Sequence, residues 1–114
     1  MKHFAHLADL AAIVGHEFAR SQALPIDQDR IDAFAHATED RQWIHTDAER
    51  AAQGPFGATI AHGFLTLSLL PRLMVSAFAI DDVRMGVNYG VNRVRFPAPV
   101  PVGLEVTPQG DGWQ

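Results

Sequence analysis

Residues 40–70 read DRQWIHTDAERAAQGPFGATIAHGFLTLSLL. Asp40 and His45 open the stretch, and a glycine-rich loop, Gly54-Pro55-Phe56-Gly57, follows. A long helix is expected over about 62–79, because Phe64, Leu65, Leu67, Leu69, Leu70, Leu73, Met74 and Phe78 cover most of its circumference. A helix apolar nearly all round is expected to be wrapped by other structure. Pro71 lies inside it, removes one N–H and crowds the carbonyl of Leu67, so a kink or break is expected there.

Upstream, Leu7, Leu10, Ala11 and Val14 recur at helical spacing and predict a short helix over 6–14, stopped by Gly15. Residues 16–26 alternate weakly and are read as a strand. A second helix is expected from Asp29 to Glu39, with Asp29 as its cap and Ile31, Phe34, Ala35 and Thr38 as its inner stripe. Residues 40–46 are read as loop or a single turn. A short helix over 47–52 is expected, capped by Thr46 or Asp47 and ended by Gly54.

Downstream, Met85, Val87, Tyr89 and Val91 alternate within 84–96, which reads as the clearest strand of the chain. Val94 and Phe96 continue in the other parity, so a bulge is expected near Asn92-Arg93. Pro97, Pro99 and Pro101 cannot donate to a ladder, which makes this stretch an edge or overhanging segment. Another strand is expected to start at 104–107, and the tail reads as turn.

The length of 114 residues points to one domain over 1–114, and 47% hydrophobic residues suffice for a core. Net charge is −4, with nine scattered Lys and Arg, so no basic stripe exists to follow a nucleic-acid backbone. The chain has no cysteine, which excludes disulfides and thiolate chemistry and fits a cytoplasmic location. No run is apolar for long enough to predict a membrane span. Asp9 and His6 interrupt the start of the chain, which reads as an amphipathic helix rather than a signal peptide.

Chemistry concentrates at 40–63. A carboxylate and an imidazole beside one water, here Asp40 and His45, position it and move its protons at neutral pH; the bland alternative is a surface Asp and a half-buried His next to Trp43. At His62-Gly63 a helix start offers unpaired N–H groups to a thioester or carboxylate oxygen, with His62 as a mere cap the alternative. Ser68 is read either as a partner of a catalytic side chain or as a residue bonding its own backbone. Gln42 is a polar neighbour, and Phe56 and Gly57 lie in the adjoining loop. An acyl pocket is expected from Phe64, Leu67 and the loop at Phe56. Six histidines are present, yet no HExxH and no close set of His and carboxylate ligands appears, so no metal is expected. GxSxG, GxGxxG and P-loop patterns are absent too.

The stretch DRQWIHTDAERAAQGPFGATIAHGFLTLSLLPRL, followed by NYGVNRVRFPAPVPVG, resembles the MaoC-like dehydratases, the (R)-specific enoyl-CoA hydratases also called hydratase 2, in their single-domain NodN-like branch. The likeness covers about residues 27–103. It implies an α+β hot-dog fold, a curved antiparallel sheet around the long central helix, and a homodimer. The family signature Asp-x-Asn-Pro-x-His reads Asp40-Arg41-Gln42-Trp43-Ile44-His45 here, with Gln for Asn and Trp for Pro. By resemblance, Asp40 and His45 activate water for addition to a trans-2-enoyl thioester, giving the (R)-3-hydroxyacyl thioester. Gly63 would supply an N–H to the thioester oxygen and Ser68 would support the Asp. No cofactor is implied; coenzyme A, or an acyl carrier protein, enters as part of the substrate. Family members continue past the VPVG segment with further strands, so the chain is expected to be a C-terminally shortened domain. The rival expectation is a non-catalytic acyl-thioester-binding or scaffolding subunit that pairs with a complete partner chain.

Overall fold

The computed structural model describes residues 1–13, 19–106 and 109–110. In chain order these form β1 (Lys2–Phe4), a 3₁₀ helix (Leu7–Ile13), β2 (Ala19–Arg20), β3 (Leu24–Pro25), α1 (Gln28–Thr38), α2 (Trp43–Thr46), α3 (Ala48–Ala52), α4 (Gly63–Ser68), α5 (Leu70–Ala77), β4 (Phe78–Ile80), β5 (Glu105–Val106) and β6 (Gln109–Gly110). The described residues belong to two compact units, one of 1–13, 19–23, 70–94 and 109–110, the other of 24–69 and 95–106.

In the first unit β1 pairs in parallel with β4, and β2 pairs antiparallel with β6. Phe4 is buried and meets Phe78 edge to face, with ring centroids 6.2 Å apart. The N-terminal helix is present, but as a 3₁₀ helix without a buried residue. Its expected stop at Gly15 lies outside the described residues. In α5, Leu73 and Ala77 are buried, and Val75 is 69% exposed.

Local chemistry sets the helices of the second unit. Asp27, not Asp29, caps α1, its Oδ1 accepting from the Arg30 N–H at 2.8 Å. Asp29 instead lies in the first turn, where a negative charge suits the exposed N–H ends. Ile31 and Ala35 fill the core, Phe34 is half-buried, and Thr38 is exposed and bonds back to Phe34 O. The helix ends at Glu39, whose φ of 61° is left-handed and turns the chain sharply into Asp40. Asp47 caps α3 through the Arg50 N–H at 3.0 Å.

The long helix divides at Leu69. Pro71 has no N–H for the carbonyl one turn back, and the Leu69 N–H closes the first half on Leu65 O and Thr66 O. Nor is the helix wrapped all round. Leu65 and Leu69 are buried, but Phe64 is 67% exposed.

The segment with three prolines forms a ladder with the chain ahead of α4. Ala61 N–H donates to Val100 O at 2.8 Å, and Val102 N–H donates to Thr59 O at 2.9 Å. Only the residues between prolines can take part in both senses, which is how a Pro-rich edge still pairs. Beyond it, Gly103 N–H donates to Ile26 O at 2.7 Å, and β5 pairs antiparallel with β3. The strand expected at 104–107 is thus present at Glu105–Val106, while that expected over 16–26 is reduced to β2 and β3, its residues 16–18 lying outside the described ones.

The strand expected over 84–96 is not formed, and with it the bulge near Asn92-Arg93. Every residue of this segment is exposed and no β-bridge involves it. Alternating side chains state a preference, but a ladder needs a neighbouring backbone, and among the described residues none lies alongside.

Candidate active site

Asp40, His45 and His62 converge within the second unit. Each offers one ligand atom, and these atoms lie within 4.8 Å of one another. Glu39 turns Asp40 out of α1, α2 carries His45, and His62 stands at the N-cap of α4. The five-residue spacing of Asp40 and His45 is too long for one helix face, and the turn at 40–42 brings them together.

His45 is buried, 6% exposed, and its Nδ1 lies 2.7 Å from Ile60 O. A carbonyl only accepts, so Nδ1 carries the proton, leaving Nε2 as the ring nitrogen free to exchange one. The backbone of His45 is fixed as well. Gln28 Nε2 donates to His45 O at 2.7 Å, and Gln28 Oε1 accepts from Thr59 Oγ1 at 2.6 Å. Thr59 is 2% exposed, so this bond satisfies a hydroxyl that water cannot reach.

His62 is 2% exposed and makes no side-chain cap on α4. Its Nε2 donates to the backbone carbonyl of Asp40 at 2.9 Å, and its ring stacks on His45 with centroids 3.8 Å and planes 21° apart. Its Nδ1 is buried without a partner among the described residues.

A cleft of about 490 Å³ opens beside this group, lined by His45, Phe56, Ile60, Ala61, Gly63, Thr66 and the segment 95–100. Phe56 is therefore at the expected cleft. Gly57 is exposed, has a φ of 74°, and lets the loop turn where a Cβ would be strained. Gly63 forms part of the wall at the first turn of α4, where helix N–H groups find no carbonyl of their own helix. Phe64 meets Phe96 edge to face at 5.8 Å but does not line the cleft, and neither does Leu67.

Two expected residues are placed differently. Ser68 is exposed and its Oγ donates to Phe64 O at 2.6 Å, one turn back on its own helix, so it does not support Asp40. Gln42 is exposed and acts through its backbone, its carbonyl accepting from the N–H groups of His45 and Thr46.

The clustered donors were not legible as a metal set, since His62 is distant in sequence from Asp40. Their geometry opposes a shared ion. His45 Nδ1 and His62 Nε2 are taken up by carbonyls, and the remaining nitrogen of His62 is enclosed. The two nitrogens that donate to carbonyls are also protonated. The group suits a hydrogen-bonded water instead.

Gln28, Thr59, Thr66 and Arg95 were not singled out in the sequence, and Phe96 was read only as part of a strand. The only available signal was the Pro-rich extended run beginning at Pro97, which carries Arg95 and Phe96 to the cleft.

Comparison with known proteins gives one answer. The model of the MaoC like domain matches residues 9–109. The 3-hydroxyacyl-thioester dehydratase Z of Mycobacterium tuberculosis is 55% identical over 106 residues, which cover 93% of this chain and 70% of that protein. Nodulation protein N of Rhizobium leguminosarum bv. viciae is 50% identical over 106 residues, covering 91% of this chain and 66% of its own length. The solved structure of the MaoC-like dehydratase from Rhodospirillum rubrum superposes with a TM-score of 0.67 at 30% identity, over 90% of this chain and 66% of the other. The chain has the α+β hot-dog fold of these neighbours, and it is a member of the MaoC-like dehydratase family.

Proposed function

We propose that this chain hydrates trans-2-enoyl thioesters to (R)-3-hydroxyacyl thioesters, or runs the reverse dehydration. The observation that carries the reading is the convergence of Asp40 and His45 beside a cleft whose wall includes Gly63. The dehydratase name of the mycobacterial relative supports the same chemistry.

In the hydration direction, a water held between the Asp40 carboxylate and His45 Nε2 attacks C3 of the enoyl group. One of the pair takes a proton from that water as the C–O bond forms. The double-bond electrons move toward the thioester carbonyl, and the oxygen that gains charge is met by the Gly63 N–H. A proton then returns to C2, so the elements of water are added with no redox change. Such a step needs no metal or redox cofactor. The mostly apolar wall of the cleft, with Phe56, Ile60 and Phe96, suits an acyl chain, and the carrier is coenzyme A or an acyl carrier protein. The working unit we propose is a single hot-dog domain acting as a cytoplasmic homodimer. Among the described residues no helix is long and apolar enough to cross a membrane.

Hydration of crotonyl-CoA by the purified chain tests this, read as loss of the enoyl-thioester absorbance. Asp40→Asn and His45→Gln are expected to lower kcat by about 10²–10⁴-fold, the range of a general acid or base. A folded wild-type chain that consumes no crotonyl-CoA or crotonyl carrier protein overturns the reading.

A further inference from the structure

His62 touches both members of the candidate pair, yet neither of its ring nitrogens opens on the cleft. Nε2 is committed to Asp40 O at 2.9 Å, and Nδ1 is enclosed. The ring is 2% exposed and does not line the cleft. One face lies on the His45 imidazole at 3.8 Å, and Phe34 of α1 contacts the same ring at 4.9 Å with planes tilted by 58°. The backbone of His62 meanwhile leads directly into Gly63, part of the cleft wall.

These contacts tie the 40–45 turn to the start of α4, which lies some way along the chain. Asp40 sits on the connection after α1, His45 on α2, and Gly63 at the start of α4. Through its one side chain His62 reaches both the Asp40 peptide and the His45 ring. Asp40 follows the left-handed Glu39, and its peptide is held by Thr38 Oγ1 on the N–H side at 3.4 Å and by His62 Nε2 on the carbonyl at 2.9 Å.

We infer that His62 is a positioning residue of this site: its Nε2–H holds the Asp40 peptide and its ring face holds the His45 imidazole, while it meets no substrate atom itself. This rests on the proposed hydratase reading, and it revises the substrate-binding role that the His62-Gly63 pair suggested in the sequence. Gly63 keeps that role through its backbone, and His62 acts through Asp40 and His45. Misplacement of about 1 Å in a reacting group costs on the order of 10²-fold, so such a residue is expected to matter to kcat without touching the substrate.

The test compares His62→Phe, which keeps a ring on His45 but removes the donor, with His62→Gln, which keeps an N–H donor but removes the ring. His62→Phe is expected to lower kcat for crotonyl-CoA by about ten- to a hundredfold with KM within about twofold. In an Asp40→Ala background the same change is expected to have no further effect, because residues that act as a unit are not additive. A KM-only effect, or full additivity with Asp40→Ala, overturns the inference and leaves the hydratase reading intact. Should His62→Phe not fold, His62→Gln carries the same cycle. If the wild type turns over no enoyl thioester, side-chain ¹⁵N NMR decides. His62 is expected as the Nε2–H tautomer, with the ring signals of His45 split or shifted in both variants. A Nδ1–H tautomer at His62, or unmoved His45 signals, overturns it.

Discussion

A Cβ placed on Gly63 would lie 2.7 Å from Cδ2 of Phe96, so the backbone at the start of α4 and an aromatic ring of the 95–100 segment share one wall of the cleft with no room between them. Phe96 is 48% exposed and meets Phe64 edge to face. Gly63→Ala is therefore expected to push the ring aside rather than unfold the chain. Steady-state kinetics should show kcat/KM down by about tenfold, ~1.4 kcal/mol of transition-state binding. The double variant with Phe96→Ala should recover part of that loss, because the clashing ring is gone.

Ser68→Ala separates the structure from the family resemblance. The hydroxyl is exposed and bonds Phe64 O on its own helix. Its removal is expected to leave kcat within about twofold and stability within ~0.5 kcal/mol, as for most surface substitutions. A hydroxyl that supported Asp40 would instead cost activity when removed.

Gln28→Leu removes a side chain that bonds both Thr59 Oγ1 and His45 O. The Thr59 hydroxyl, 2% exposed, then has no partner it can reach by turning to water. Urea unfolding is expected to show a loss of about 1–3 kcal/mol, the cost of stranding a buried polar group. Because the same side chain fixes the backbone of His45, kcat should fall as well.

Glu39→Gly is expected to stabilise the chain. Glu39 adopts a φ of 61°, a conformation that costs an L residue about 1–2 kcal/mol and glycine little. Glycine's greater freedom in the unfolded chain offsets part of this. A net gain of about 0.5–1 kcal/mol, read as a higher melting temperature, is the expected result. A loss would mean that the Glu39 side chain contributes more than its backbone strain costs.

The amino-acid sequence by itself determined what depends on neighbours a few residues away. Helices α1 and α3 were legible because an Asp side chain reaches the N–H three residues on, although the cap of α1 is Asp27 rather than Asp29. The break in the long helix was legible because Pro71 lacks an N–H wherever it stands. Asp40 and His45 stood out because their spacing is fixed within one short turn. What only the tertiary structure decided is everything that needs a distant partner. Residues 84–96 alternate as a strand should, but no backbone among the described residues pairs with them, and a ladder is a property of two segments. Ser68 read from its own position as a residue more often bonded to its own helix, and as support for Asp40 only by resemblance, and the fold has it facing solvent and bonded to Phe64 O. Gln28 reached Thr59, and His62 reached Asp40, across separations that no local pattern encodes, because a hydrogen bond is set by distance in space and the chain is free to choose which residues it brings within that distance.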